Sequence, residues 1–276
     1  MAYGQTPFVI AAAPNGARKT KADVPNIPIT PAEVAQTALA CKQAGAAMMH
    51  LHVRDEDQKH SLDVGRYREM LTEVRASVGD DMLLQVTTEA VGMYSADDQM
   101  AMVRGLMPEA VSIAIREIAP DGFDVSALKS FFAFMREAKI SPQFILYASD
   151  DVRRFNQLVE KGILPGEKFP VLFVLGRYSA GQVSDPADLL PFIATSSYIS
   201  TWMVCAFGAF ENACILTGAG LGGHARIGFE NNHLLVDGSP ADHNAELIAQ
   251  AREGARHMAR KIATGEQAKQ IMHPVW

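Results

Sequence analysis

The chain has 276 residues, 48% hydrophobic and 20% charged, enough apolar side chain to bury one large core. A formal net charge of −6 and the lack of any long Lys/Arg run argue against a nucleic-acid binder. Cys41, Cys205 and Cys214 have neither disulfide-framework nor Cys-x-x-Cys spacing, the N-terminus does not read as a leader, and no uninterrupted apolar run reaches the roughly 18 residues of a membrane helix. The expectation is a reduced, cytoplasmic protein that acts on small molecules.

Pro7 to Ala13 reads as a short strand closed by the turn residues Pro14-Asn15-Gly16, followed by a polar loop carrying Arg18, Lys19 and Lys21. Thr30-Pro31-Ala32-Glu33 predicts a helix start, with Thr as N-cap, Pro at the first helical position and Glu completing a capping box; Gly45 stops that helix after Ala44. The small and apolar run Ala46-Ala47-Met48-Met49 then leads into His50-Leu51-His52-Val53-Arg54-Asp55. Side chains alternate faces along a strand, so His50 and His52 share one face. Neutral imidazole is the commonest protein ligand for zinc-like ions, and a pair at i, i+2 chelates one ion with little backbone distortion.

Ser61 or Asp63 caps the next helix, which runs to Val78. Strands follow at Met82 to Thr87, Ala110 to Ile115, Gln143 to Ala148, Phe169 to Leu175, Ile199 to Phe207 and Ala225 to Phe229. Helices beginning at Ser95, Asp124, Asp150, Pro186, Ala209 and Asn244 alternate with them, the last running to Ala263. About eight strand-helix units with no break in composition predict a (β/α)₈ TIM barrel, one domain spanning residues 1–276. A doubly wound open sheet is the rival architecture. Gly218-Ala219-Gly220-Leu221-Gly222-Gly223 matches GxGxxG, but it follows a helix and precedes a strand, the reverse of a dinucleotide fingerprint, and reads as a helix-to-strand loop.

Barrel enzymes build their sites at the C-terminal ends of the strands, which nominates Arg18, His50, His52, Arg54, Thr87, Glu89, Ser112, Arg116 and Glu230. Even-numbered strands feed the same interior layers, so strands two and eight can bring His50, His52 and Glu230 together as a two-histidine, one-carboxylate metal set.

Several segments in order resemble the β-keto acid cleavage enzymes: Ile29-Thr30-Pro31, the histidine strand, Phe173-Val174-Leu175-Gly176, the run Gly222-Gly223-His224 through Asn231-Asn232, and Ser239 through Leu247. The resemblance implies a (β/α)₈ barrel, a zinc ion, a homo-oligomer that is usually tetrameric, and a reaction of a β-keto acid with acetyl-CoA to give acetoacetate and a new acyl-CoA. It places the metal ligands on His50, His52 and Glu230, active-site hydroxyls on Thr87 and Ser112, and an active-site arginine on Arg226. Three positions depart from the pattern of members acting on an aminated keto acid: Arg18 stands in place of a first-loop carboxylate, Asn231 in place of an aspartate, and Arg116 in place of a glycine.

An asparagine amide cannot act as a general base at neutral pH, so Glu89 becomes the candidate base, or else the partner of Arg116 or Arg18. Arg18 should repel a cationic substrate and favour an anionic or neutral one. Thr87, Ser112 and Asn231 are expected to donate to the oxyanion, Arg18 and Arg116 to bind the substrate tail, and the loop carrying Arg177 to meet coenzyme A. Two other functions remain open on the sequence: a metal-dependent hydrolase of the amidohydrolase type, and a non-catalytic binding protein on the same barrel.

Overall fold

The computed structural model describes residues 6–275. Eight parallel strands close on themselves: β1 (Ile10–Ala12), β2 (Met48–Leu51), β3 (Leu83–Thr87), β4 (Ala110–Ala114), β5 (Ser141–Leu146), β6 (Phe169–Leu175), β7 (Ile199–Ala206) and β8 (His224–Ile227). Ile10 pairs with Ala225 and Ala12 with Ile227, which shuts the sheet between first and last strands and excludes the open doubly wound alternative. A helix follows each strand: α1 (Pro31–Ala44), α2 (Val64–Val78), α3 (Ala96–Leu106), α4 (Val125–Glu137), α5 (Ser149–Glu160), α6 (Leu190–Thr195), α7 (Glu211–Gly220) and α8 (Asn244–His257). The fold is a single (β/α)₈ TIM barrel.

Local chemistry sets the helix starts. Thr30 and Ser95 cap α1 and α3 in full capping boxes closed by Glu33 and Asp98, and Asp63, not Ser61, caps α2. Strand alternation then sorts the core into two shells. Met49, Leu51, Val86, Phe144 and Phe173 face the helices, where Phe131, Phe132, Phe144, Phe155 and Phe169 stack ring against ring. Met48, Leu83, Leu172, Met203 and Cys205 fill the inner cluster. His50 is buried two residues beyond Met48 and so points inward.

Three sequence expectations are corrected. The helix from Asn244 ends at His257, not Ala263: Ala259 turns left-handed at φ 56°, and the Arg260 guanidinium is drawn to the carbonyls of Ala219 and Gly223. The chain then runs beside Phe8 and enters a further helix, α9 (Gly265–Ile271), capped by Thr264 and Gln267, whose Ala268 and neighbouring Met272 join the inner cluster. Gly218 to Gly223 is only half a loop, because α7 continues to Gly220. A Cβ on Gly223 would lie 2.2 Å from the Trp202 ring, so that glycine makes room for the indole rather than for a phosphate. The start at Pro186 is a 3₁₀ turn, Pro186–Leu189, that runs into α6.

All three cysteines are free and buried. Among the described residues no helix is long and apolar enough to cross a membrane.

Candidate active site and metal centre

The C-terminal mouth of the barrel holds a cleft lined by Asn15 to Lys19, His50, His52, Thr87, Glu89, Tyr147, Arg177, Arg226 and Glu230, among others. The loop after β1 forms one wall, and Arg54 fixes its course. This arginine ends a short hairpin strand, Val53–Arg54, paired with His60–Ser61, which the sequence did not reveal. Its guanidinium donates to the carbonyls of Gly16 (2.7 and 3.0 Å), Lys19 (3.0 Å) and Gln58 (2.8 Å). It is a buried strut and does not line the cleft. Asn15 Nδ2 adds a bond to the His52 carbonyl at 3.2 Å. Gly16, at φ 61°, is the close-approach point: a Cβ there would sit 2.5 Å from Glu230 Cγ.

Behind that loop His50, His52 and Glu230 converge. Their Nε2 atoms are 3.1 Å apart, and Glu230 Oε2 lies 3.6 Å from each. Bonds of about 2.0–2.2 Å around a tetrahedral ion put neighbouring ligand atoms roughly 3.4 Å apart, so these spacings fit one zinc-like ion. Glu230 Oε2 is buried without a hydrogen-bond partner, the orphaned acceptor that a cation would satisfy. His50 Nδ1 meets Gln85 Oε1 at 2.8 Å, and Gln85 Nε2 donates to Gln143 Oε1 at 3.0 Å. This relay assigns the proton to Nδ1 and leaves the Nε2 lone pair inward.

Charge agrees with that role. Burial, reinforced by nearby Arg226, holds the His50 imidazole well below its usual value and therefore neutral. Burial pushes the Glu230 carboxyl up, but Arg226 and the two imidazoles outweigh it and hold the group well below the usual carboxylate range. Arg226 Nη2 donates to Glu230 Oε1 at 3.2 Å, and its Nη1 lies 3.1 Å from His50 Nε2.

Glu89 stands beside the trio. Its Oε1 accepts from Arg18 at 2.6 Å and its Oε2 lies 3.9 Å from His52 Nδ1. Of its two anticipated partners, Arg18 is the one it takes. Thr87 also lines the cleft, and its Oγ1 accepts from Glu89 N (3.0 Å) and from Ser112 Oγ (3.2 Å), which leaves the Thr87 proton free to donate.

Besides Arg54, three nominated residues are not among those lining the cleft. Ser112 is wholly buried and acts on Thr87. Asn231 turns its amide back to the Arg226 carbonyl at 3.3 Å. Arg116 pairs with Asp151 at 2.6 Å and lies against both Tyr147 and Tyr178, 4.7 and 4.9 Å from the ring centres, the two rings meeting edge to face at 5.1 Å. Conversely, Lys19 and Tyr147 line the cleft and were not nominated for chemistry. Tyr147, just past the end of β5, obeys the same strand-end rule as the others, and its aromatic character hid it. His60 and His224 are buried structural side chains, bonded to Glu89 O and Val9 N respectively.

A profile of the beta-keto acid cleavage enzymes matches residues 7–273. The chain is 29% identical over 271 residues to the 3-keto-5-aminohexanoate cleavage enzyme of Fusobacterium nucleatum, covering 96% of this chain and 97% of that one. It is 27% identical over 278 residues to the 3-oxoadipate:acetyl-CoA acetyltransferase of Cupriavidus necator, covering 96% and 94%. Among solved structures, apo ObcA superposes with a TM-score of 0.72 at 18% identity, over 90% of this chain and 65% of that longer one, a likeness of fold. The barrel, the cleft and these relatives together show that the chain belongs to the beta-keto acid cleavage family and is one of its enzymes.

Proposed function

We propose that this enzyme holds a zinc-like divalent ion on His50, His52 and Glu230 and exchanges an acyl group between a β-keto acid and acetyl-CoA, giving acetoacetate and a new acyl-CoA. The observation that carries this reading is the trio itself, whose ligand atoms all lie within 4.8 Å of one another beside Glu89, Thr87 and Arg226. Loss of the C2 proton gives an enolate that attacks the acetyl carbonyl and expels the coenzyme A thiolate; the thiolate then adds to the C3 ketone and the C2–C3 bond breaks, giving the new acyl-CoA and acetoacetate, so negative charge develops on the enolate and on each attacked carbonyl oxygen. A divalent ion supplies Lewis-acid stabilisation of such charge.

The chain's own groups divide the remaining work. Glu89 is placed to take the C2 proton, since Asn231 has no basic atom and turns away from the cleft. Thr87, its oxygen already accepting from Ser112, donates its proton to the developing oxyanion. Arg226 neutralises Glu230 on the cleft floor. Arg177, held 5.2 Å over the Phe207 ring at the cleft edge, is the contact assigned to coenzyme A. Arg116 does its part from behind, by stacking on Tyr147 and Tyr178.

Arg18 sets the charge class of the keto acid as anionic or neutral, because a cationic tail would meet a like charge there. The aminated substrate in the name of the Fusobacterium relative is therefore disfavoured, and the 3-oxoadipate in the name of the Cupriavidus relative is of the favoured kind. A homotetramer and a cytoplasmic location complete the proposal, the latter supported by three free thiols. An amidohydrolase-type hydrolase is the weaker reading, since β5 and β6 carry no histidine to extend the metal set. Incubation of zinc-loaded protein with acetyl-CoA and a panel of β-keto acids should yield acetoacetate. A silent panel with metal and ligand still bound would mark a binding protein instead.

A further inference from the structure

We infer that Glu211 is the residue that aims the metal ligand Glu230, by clamping both ends of the turn on which Glu230 sits. The inference rests on the metal-centre reading above and adds to it a positioning residue that does not line the cleft. Glu211 opens α7, where the helix dipole favours a glutamate facing solvent; here it is 2% exposed and turned inward. Burial pushes its carboxyl up to about 8, and both oxygens accept hydrogen bonds with or without the proton. Burying an acid is unfavourable unless its oxygens are met, so its partners show what it holds. Those partners lie on one segment just past β8. Oε1 takes the Gly228 amide at 3.4 Å and Oε2 takes Asn232 Nδ2 at 3.2 Å. Glu230 stands midway between these two residues in the chain.

The other bonds of the turn fix its middle. Ala13 O accepts from Glu230 N at 3.2 Å, Asn244 Oδ1 accepts from Phe229 N at 2.8 Å, and Lys19 Nζ donates to the Phe229 carbonyl. The Gly228 carbonyl accepts from Asn231 N (2.8 Å) and Asn232 N (3.0 Å), which curls the segment. Gly228 starts it at φ 147°, where a Cβ would lie 2.3 Å from the Ala13 carbonyl oxygen. Glu211 supplies what these leave, a hold on the first amide and the last side chain. Asn232 is a fixed post for that hold, since its Oδ1 accepts from Leu234 N (3.0 Å) and its Nδ2 also donates to Leu234 O (2.7 Å). Glu230 Oε2 thus stays 3.6 Å from both histidine Nε2 atoms although no hydrogen bond restrains that oxygen. The clamp requires two acceptors on one side chain. A glutamine would turn an NH2 toward one of the two donors.

The test reads metal affinity in the full-length protein, by competition for zinc with a chromophoric chelator, and ligand geometry by the visible absorption of the cobalt(II)-loaded form. Groups that orient a metal ligand are worth about tenfold to a hundredfold in affinity. Glu211→Gln should weaken zinc binding by that factor and alter the cobalt band, with circular dichroism showing an intact barrel. Asn232→Ala removes the same contact from the turn and should weaken binding likewise. The double variant should lose no more than the costlier single one, because both delete one link. Unchanged zinc affinity in Glu211→Gln, or fully additive losses, would overturn the inference. Should Glu211→Gln fail to fold, Asn232→Ala decides: weakened zinc binding supports the clamp and unchanged binding rejects it. A wild type that binds neither zinc nor cobalt removes the metal-centre reading and this inference with it, whereas equal binding by wild type and Glu211→Gln rejects this inference alone.

Discussion

His224 and Arg226 stand two residues apart on β8, yet they belong to opposite ends of the barrel and to different chemistries. At the base, His224 accepts a hydrogen bond from Val9 N, and Arg260 donates to the carbonyls of Thr6, Ala219 and Gly223 while stacking 4.9 Å over Phe8. The partners there are backbone groups, which do not titrate and hold one geometry. At the mouth, Arg226 meets His50, Glu230 and Cys205, and the cluster leaves Glu230 Oε2, His52 Nδ1 and Arg226 Nε without partners. Histidine and arginine make a structural plug at one end and, joined by a carboxylate, a candidate reactive set at the other. What separates them is the partner: backbone carbonyls and an amide at the base, and at the mouth the Glu230 carboxylate, whose Oε2 is left without a hydrogen bond.

That contrast breaks most sharply at the ligands. His50→Ala with His52→Ala should empty the mouth of metal and lower acetoacetate formation by more than about a thousandfold, with the melting curve showing a folded barrel. Elemental analysis that finds metal still bound would end the metal-centre proposal. The next largest effect belongs to Glu89→Gln, expected to cost a hundredfold or more in turnover at unchanged metal content, and retained activity would return Glu89 to a purely structural role as the partner of Arg18.

The base is probed by acid. Burial, with Arg260 nearby, pushes the His224 pKa down to about 3, below the unfolded value of 6.5. Between those values the unfolded chain binds the extra proton, so this contribution is intact above pH 6.5 and fades as pH falls toward 3. It amounts to about 2 kcal/mol lost by pH 5. His224→Gln should remove that share of the acid slope in denaturant titrations, and a slope identical to wild type would place the sensitivity elsewhere.

The legible parts of this chain were those written locally. The Thr30–Glu33 and Ser95–Asp98 boxes name their helices within four residues, and the two-residue period of His50 and His52 fixes their shared face once a strand is granted. Glu230 follows from barrel geometry, because β8 ends three residues before it. The illegible parts depend on distant partners. Nothing in Met258-Ala259-Arg260-Lys261 resembles a helix stop; the stop comes from carbonyls of Ala219 and Gly223, some forty residues away in sequence. Arg54 has the sequence context of a catalytic arginine, but the hairpin it belongs to turns it under the first loop. Ser112 sits in the middle of β4 and Asn231 four residues past β8, and the hydrogen bonds they make carry their side chains to Thr87 and to the Arg226 carbonyl.

The strut under the first loop bears on how such an enzyme changes diet. Arg54 holds that loop by its carbonyls, a handle every amino acid shares, and takes no side chain from positions 16 to 19. The residue at 18 can therefore be exchanged without shifting Gly16 against Glu230, so selectivity and catalytic framework are free to vary on separate evolutionary clocks. A library confined to that one codon would sample new substrates on an unchanged first-loop backbone, with Glu89 the side chain that loses its partner.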